Sequence, residues 1–525
     1  MYADAWGALR WLEHTVAQPR DVWCASVYDP GIMQQWARVL RLAAEEGREV
    51  FITSLGGSSS AVRINHAAHT AAALKLLLQK QGRHGGDVNV THVGASQGST
   101  HTEWGAWHMD ALVPSRTDIL VWEYALNDDI PAWSTAAAPL QQRQHALEFF
   151  VARARAINPR IVLVFLFLWQ NTAAKCWPRC DTTAANNRSA WRATAEAVAA
   201  LRGEGDVFAL DFGWLARAMP TRPKLSIFAD YHHPTPSAHV AMAGALLARL
   251  AVPLHSGAAS LRRACATAPP APLGGVARGP SPLLEAGELT PEAQALAKVM
   301  LGPRYVFRAL TYVHPHPGDS MALGWVRELE PAEVHSLGKE DPQRLDRKRF
   351  MVLPPCGGNR TADYAVRFAP GEHRALTHVG LFQAHVGHDP LCTARWHGST
   401  LPMPRVVVAH VELPPLDAAR FASNLSVLWR GGMVTHLYSH QDAANNVDPK
   451  LLARSAGKGQ GIRPPPAAQG EPQGVTPSAT EAGRVKATAR HDSHDEVQIS
   501  LCAPEGAPRC LQSIVAVLER RVNTE

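Results

Sequence analysis

The sequence predicts an α/β protein, with a first domain built on a parallel sheet covered by helices on both faces and a second, β-rich domain of sandwich-like character. Three observations carry this. From Glu49 to Leu250, strand-like and helix-like periodicities alternate, the pattern of repeated βα units. The run Ile161 to Trp169 is apolar throughout, which suits a strand buried on both faces and is far too short to cross a bilayer as a helix. Beyond a stretch rich in Ala, Pro, Gly and Arg at 253–290, short apolar runs are separated by Pro/Gly turns, as in a sandwich.

In order along the chain, residues 1–48 form a helical extension, with apolar periodicity around Trp6, Leu9, Trp11 and Leu12 and again around Trp36, Val39, Leu40 and Leu42. The α/β domain occupies 49–252. Its predicted strands are Phe51–Leu55, Val88–Val93, Ile119–Tyr124, Ile161–Trp169 and Val207–Phe212. The helices between and after them are Ala61–Gln81, Trp104–Leu112, Leu140–Ile157, Thr183–Leu201 and Pro236–Leu250. Residues 253–290, with Ala268-Pro269-Pro270-Ala271-Pro272, read as a linker. The β-rich domain spans 291–525, with runs at Tyr305–Phe307, Ala322–Val326, Tyr364–Phe368, Val406–Val411, Glu496–Leu501 and Ile514–Leu518. A low-complexity insertion interrupts it at 455–490.

A chain of 525 residues with 46% hydrophobic and 19% charged residues can bury large cores. Its net charge of +6 is spread out, with no Lys/Arg block interleaved with aromatics, so no nucleic-acid partner is expected. No membrane span is expected either. The start Met1-Tyr2-Ala3-Asp4-Ala5-Trp6 shows no basic region followed by an apolar core, so no signal peptide is visible in the sequence as it stands. Among the eight cysteines, Cys176/Cys180 and Cys502/Cys510 are close pairs and Cys356/Cys392 is a further candidate. Such spacings fit disulfides ahead of thiolate metal ligands. With sequons at Asn89, Asn187, Asn359 and Asn424, they favour a secretory or extracellular location for a glycoprotein.

The chemistry centres on Glu49 to Ala61, an apolar run that breaks on Gly56-Gly57 into Ser58-Ser59-Ser60. A serine there projects from the carboxyl edge of the sheet, with N–H groups of the following helix available to a developing negative charge. The same stretch also reads as a plain flexible loop or phosphate-binding turn. A serine hydroxyl needs a base, a carboxylate to orient it and donors for the oxyanion. Asp230, three residues before His233 on a proline-held loop, supplies orienter and base, although the motif reads equally as a cap for the helix from Pro236. Asn127, after the third strand, is a candidate amide donor to the oxyanion. The glycine-rich turn after the second strand offers Gly98 as a backbone donor, with Gly94 the alternative.

The ordered set Gly-Gly-Ser58, glycine-rich turn, Asn127-Asp128 and Asp230-x-x-His233-Pro234 resembles the SGNH or GDSL-type hydrolases over roughly residues 48–250. The resemblance implies a flavodoxin-like three-layer α/β/α fold and ester hydrolysis or acyl transfer. It implies a Ser58, Asp230, His233 triad and an oxyanion hole of Ser58, Gly98 and Asn127. Three positions depart from the family pattern: Gly57 in place of aspartate, His92 near the place of an asparagine, and Ala125 in place of glycine. The implied activity is a serine esterase removing O-acyl groups, O-acetyl foremost, from a small-molecule or carbohydrate ester. Alternatives are O-acyl transfer to a sugar, or a non-catalytic glycan binder on the same fold. No cofactor is implied. His314, His316, His378, His385, His388 and Asp389 resemble metal ligands, but a chain with 25 histidines throws up such groupings by chance, and no metal site is expected.

Overall fold

A computed structural model describes residues 4–16, 34–62, 64–81, 88–98, 100–125, 138–168, 207–212, 233–250, 305–311, 326–330, 333–337, 348–357, 361–367, 374–383, 405–408, 411–412, 425–430, 433–438, 496–505 and 509–520. Five strands, β1 (Val50–Gly56), β2 (Val90–Gly94), β3 (Ile119–Glu123), β4 (Val162–Phe167) and β5 (Val207–Asp211), form one parallel sheet in the order β2-β1-β3-β4-β5. This is the flavodoxin-like doubly wound order, whose switch point lies between β1 and β3. Every residue of β1, β3 and β4 is buried, which is why these strands read as continuous apolar runs instead of alternating ones.

The side chains nevertheless alternate between two cores, because successive residues of a strand face opposite sides. Ile119, Val121, Val162, Val164 and Leu166 join one core with α1 (Ala5–Val16), α2 (Gln34–Glu46), α3 (His66–Gln81) and the helix Pro236–Leu250. Leu120, Trp122, Leu163, Phe165 and Phe167 join the other, under α4 (Thr102–Trp107), α5 (Met109–Leu112) and α6 (Ala138–Ile157). Trp36, Val39, Leu40 and Ala43 mark a helical stripe on α2, and the Trp36 indole N–H donates to the Leu250 carbonyl at 2.6 Å. The helix Pro236–Leu250, α7, is buried from Ala241 to Leu250 because α1 packs along it as well as α3.

Two helices of the first half differ from expectation. The helix expected from Ala61 begins at His66, because Asn65 Oδ1 accepts from the N–H groups of Ala67 and Ala68 at 3.0 and 3.1 Å and caps α3 there. The helix expected over Trp104–Leu112 is two short helices meeting at His108, whose ring stacks on Trp104. The expected helix Thr183–Leu201 and the loop Cys176–Cys180 lie outside the described residues.

The second half forms antiparallel sheets. One has the order β13-β12-β16-β10-β7, from Val411–Glu412, Arg405–Val408, Glu496–Cys502, Ala362–Arg367 and Val326–Glu330. The other runs β15-β14-β11-β17-β9-β8, from Met433–Tyr438, Leu425–Arg430, Arg374–Gln383, Cys510–Arg520, Lys348–Val352 and Glu333–Leu337, with β6 (Tyr305–Thr311) also paired to β17. Strands on either side of the low-complexity stretch 455–490, β15 and β16, belong to these sheets, while the stretch itself lies outside the described residues.

The cysteine pairing differs from that read off the spacing. Cys356, just after β9, is bonded to Cys502 on β16, joining the two sheets across 146 positions. Cys502 therefore does not pair with Cys510, which is itself disulfide-bonded, nor Cys356 with Cys392. Sequence proximity fails here because the sheets bring distant strands together, and connectivity is not fixed by spacing.

Candidate active site

The site grows out of the end of β1. Gly56 has no room for a side chain, since a Cβ there would meet the Glu123 carbonyl oxygen at 2.8 Å and Ser60 Cβ at 2.9 Å. The chain then turns tightly, with the N–H groups of Ser60 and Ala61 both donating to the Gly57 carbonyl at 3.1 and 3.0 Å. Of the three serines in that turn, Ser59 and Ser60 are buried and Ser58 is half-buried, the most exposed of the three.

His233 Nε2 lies 2.9 Å from Ser58 Oγ, bringing together residues 175 positions apart. In the tautomer protonated on Nδ1, the ring accepts the serine proton, as a general base must. The competing reading of the motif as a helix cap finds its residue elsewhere: Thr235 Oγ1 accepts from the Ala238 N–H at 3.2 Å, with Pro236 at the first helical position. Asp230 and Asn127 lie outside the described residues.

The two candidate glycines occupy different levels of the sheet. Gly94 is the last residue of β2 and pairs with Ser54, below the turn. Gly98 follows Gln97, whose N–H donates to the Gly56 carbonyl at 3.0 Å, so Gly98 sits beside the turn itself. Neither the Ser58 nor the Gly98 N–H has an acceptor among the described residues, the condition a backbone oxyanion donor has to meet before substrate arrives. The following helix, α3, starts at His66. It begins eight positions after Ser58, and Asn65 Oδ1 accepts from two of its leading N–H groups, those of Ala67 and Ala68.

Side chains that the sequence reading left out brace the turn. The Ser60 hydroxyl donates to Glu123 Oε2 at 2.8 Å, and the Gly57 N–H donates to the Glu123 carbonyl at 3.0 Å. Asn65 Nδ2 donates to the Ser60 carbonyl at 2.9 Å and to Ser54 Oγ at 3.2 Å. Ser54 Oγ also lies 3.0 Å from His92 Nε2, which places His92 within the strand network instead of at the serine. The visible signal was a charged residue ending an otherwise apolar strand, Ile119-Leu120-Val121-Trp122-Glu123.

Behind this edge, His66 at the start of α3 stacks against His239 in the first turns of α7, with ring centroids 5.8 Å apart. Burial pushes both rings well below the usual histidine range, His239 to about 3, and each is lowered further by neighbouring histidines. His314, His316, His385, His388 and Asp389 lie outside the described residues, and His378 is on β11.

No protein-family model matches the chain, and no curated protein matches it. Solved structures similar to it include a two-domain esterase (CEX) active on acetylated mannans, at 11% identity and a TM-score of 0.41, covering 95% of this chain and 99% of that one. A structure of a two-domain esterase (CEX) active on acetylated mannans, co-crystallised with mannopentaose, has the same values. A Clostridium thermocellum family 3 carbohydrate esterase is similar over 38% of this chain and 94% of its own, at 12% identity and a TM-score of 0.27.

Proposed function

We propose that this chain is a serine esterase of the SGNH type, removing O-acyl groups, O-acetyl foremost, from carbohydrate. The observation that carries the chemistry is the 2.9 Å approach of His233 Nε2 to Ser58 Oγ at the carboxyl edge of the sheet, beside the β1/β3 switch point where α/β proteins bind ligands. Ser58 Oγ attacks the ester carbonyl while its proton passes to His233. The N–H groups of Ser58 and Gly98 and the Asn127 amide hold the oxyanion. Collapse of that intermediate expels the alcohol, which takes the proton from His233, and leaves an acyl-serine. Water, deprotonated by His233, then releases the acid and restores Ser58. Asp230 orients the ring through Nδ1. The carbohydrate part of the reading rests on the family resemblance, and the Cys356–Cys502 bridge fits maturation in an oxidising compartment.

Replacing Ser58 with alanine tests this reading. Ser58→Ala is expected to abolish nitrophenyl acetate turnover while keeping the far-UV spectrum and thermal midpoint of the parent, and unchanged turnover would remove Ser58 from the mechanism. With an acetylated polysaccharide, free acetate is the expected product. Acetylated mannan is a polymer to include, and acetyl-sugar formed in place of acetate would identify transfer.

A further inference from the structure

We propose that Glu123 is a positioning residue for the nucleophile turn, acting through Gly57 and Ser60 and not by touching substrate. The proposal rests on the esterase reading of Ser58. Glu123 ends β3, on the strand that pairs with β1 at the switch point, in register with Gly56. It is 1% exposed, and a carboxylate in such a place is costly unless hydrogen bonds compensate it. Its two ends grip the same turn. The main-chain carbonyl accepts from the Gly57 N–H at 3.0 Å on the way in, and the carboxylate accepts from the Ser60 hydroxyl at 2.8 Å on the way out.

Between those two anchors stands Ser58, whose Oγ must meet His233 and whose N–H must face the oxyanion. The Gly57 carbonyl is held in turn by the Ser60 and Ala61 N–H groups, so the peptide plane leading into Ser58 is held at its carbonyl, and the plane before it at the Gly57 N–H. A shorter or apolar residue at 123 would leave Ser60 Oγ without this acceptor and the outgoing half of the turn with one tether fewer, the Asn65 bond to the Ser60 carbonyl remaining. Glu123 also lies four positions before Asn127. One short segment thereby carries the brace of the serine and the side-chain donor to its oxyanion. Catalytic geometry is sensitive to displacements of about 1 Å, which can cost about 10²-fold in rate.

The test uses the full chain with Ser60→Ala, Glu123→Leu, Glu123→Gln and the double variant Ser60→Ala/Glu123→Leu. Ser60→Ala is the mild variant should Glu123→Leu fail to fold. For the folded fraction, Ser60→Ala and Glu123→Leu are expected to lower kcat for nitrophenyl acetate by about 10- to 100-fold with KM little changed, and to slow fluorophosphonate labelling of Ser58 in parallel. Glu123→Gln keeps an acceptor for Ser60 and is expected to retain most of kcat. The double variant should be no worse than the poorer single one, because both remove one interaction. A Ser60→Ala protein with a lowered thermal midpoint but parental kcat would show a merely structural residue and overturn the proposal. So would a fully additive double variant. A parent protein inert to both ester and fluorophosphonate would overturn the esterase reading and this role with it, whereas an active parent with indifferent variants overturns the role of Glu123 alone.

Discussion

At the scale of single residues, the proposed chemistry concentrates on one contact and the groups that would aim it. Ser58 is distinguished from Ser59 and Ser60 by exposure and by His233, not by sequence, since all three follow the same two glycines. Choosing Ser58 from the sequence needed the ordered set of motifs around it. Glu123 and Asn65 escaped that reading because a brace shows only once strands are paired: their partners, Ser60 and Ser54, are reached through turns and ladders with no spacing rule. Asn127 and Asp230 enter the mechanism from their motifs, and mutation separates their roles. Asn127→Ala is expected to lower kcat by about 10²–10³-fold while leaving the shape of the pH profile unchanged, because it removes a donor to the oxyanion and no titrating group. Asp230→Asn is expected to approach a loss of roughly 10⁴-fold, the scale set by the same substitution in the triad of a serine protease, because it removes the acceptor that fixes the imidazole tautomer. Steady-state assays across pH distinguish the two, and a parental kcat in either variant removes that residue from its role.

At the scale of elements, the helices behind the site carry an acid-sensitive junction. His66 on α3 and His239 on α7 stack in a core shared with His69, whose Nδ1 accepts from the Asp4 N–H at 2.7 Å, and near His92 on β2. Neither ring nitrogen of His66 finds a hydrogen-bond partner among the described residues. Burial keeps both rings neutral when folded, whereas the unfolded chain protonates them near 6.5. The unfolded state therefore binds more protons below that value, and stability falls with pH over the window from 6.5 down to about 3 for His239. At pH 5 a ring shifted that far costs about 2 kcal/mol relative to neutral pH. His108, held to about 3 by burial, adds to the trend, while Asp118, raised by burial, opposes it. Urea denaturation is expected to show lower stability at pH 5 than at pH 7.5, with a smaller difference in His239→Phe; a pH-independent midpoint would contradict this. Since α7 begins three residues after His233, loosening it would also displace His233, the proposed base. The helix itself was legible from its apolar composition and Pro236 start. The histidine stack was not, because nothing in the spacing of residues 66 and 239 brings α3 onto α7.

At the scale of the whole molecule, the parallel sheet was readable because burial on both faces leaves continuous apolar strands, as in Val162–Phe167, and the strand order follows that of flavodoxin-like folds. The union of the two halves was not. Arg153 on α6 is 2% exposed, grips Asp110 on α5 through both carboxylate oxygens at 2.6 and 2.7 Å, and donates to the Tyr305 carbonyl on β6. Asp110 in turn accepts from the Phe307 N–H at 2.8 Å, and Phe307 packs edge-on to Trp107. His108 Nε2 lies 2.7 Å from Ser513 Oγ, 405 positions away. These contacts seat β6 and β17 on the helical face opposite α7, so the second half is packed against the first despite the linker-like stretch between them. The seam leaves the Ser58 turn, at the end of β1, to be judged by its own chemistry. The most direct judgement is to treat the full chain with a fluorophosphonate and map the adduct by peptide mass spectrometry: the account predicts modification of Ser58, absent from Ser59 and Ser60 and lost in His233→Ala, whereas an unlabelled chain, or an adduct on another serine that survives His233→Ala, would contradict it.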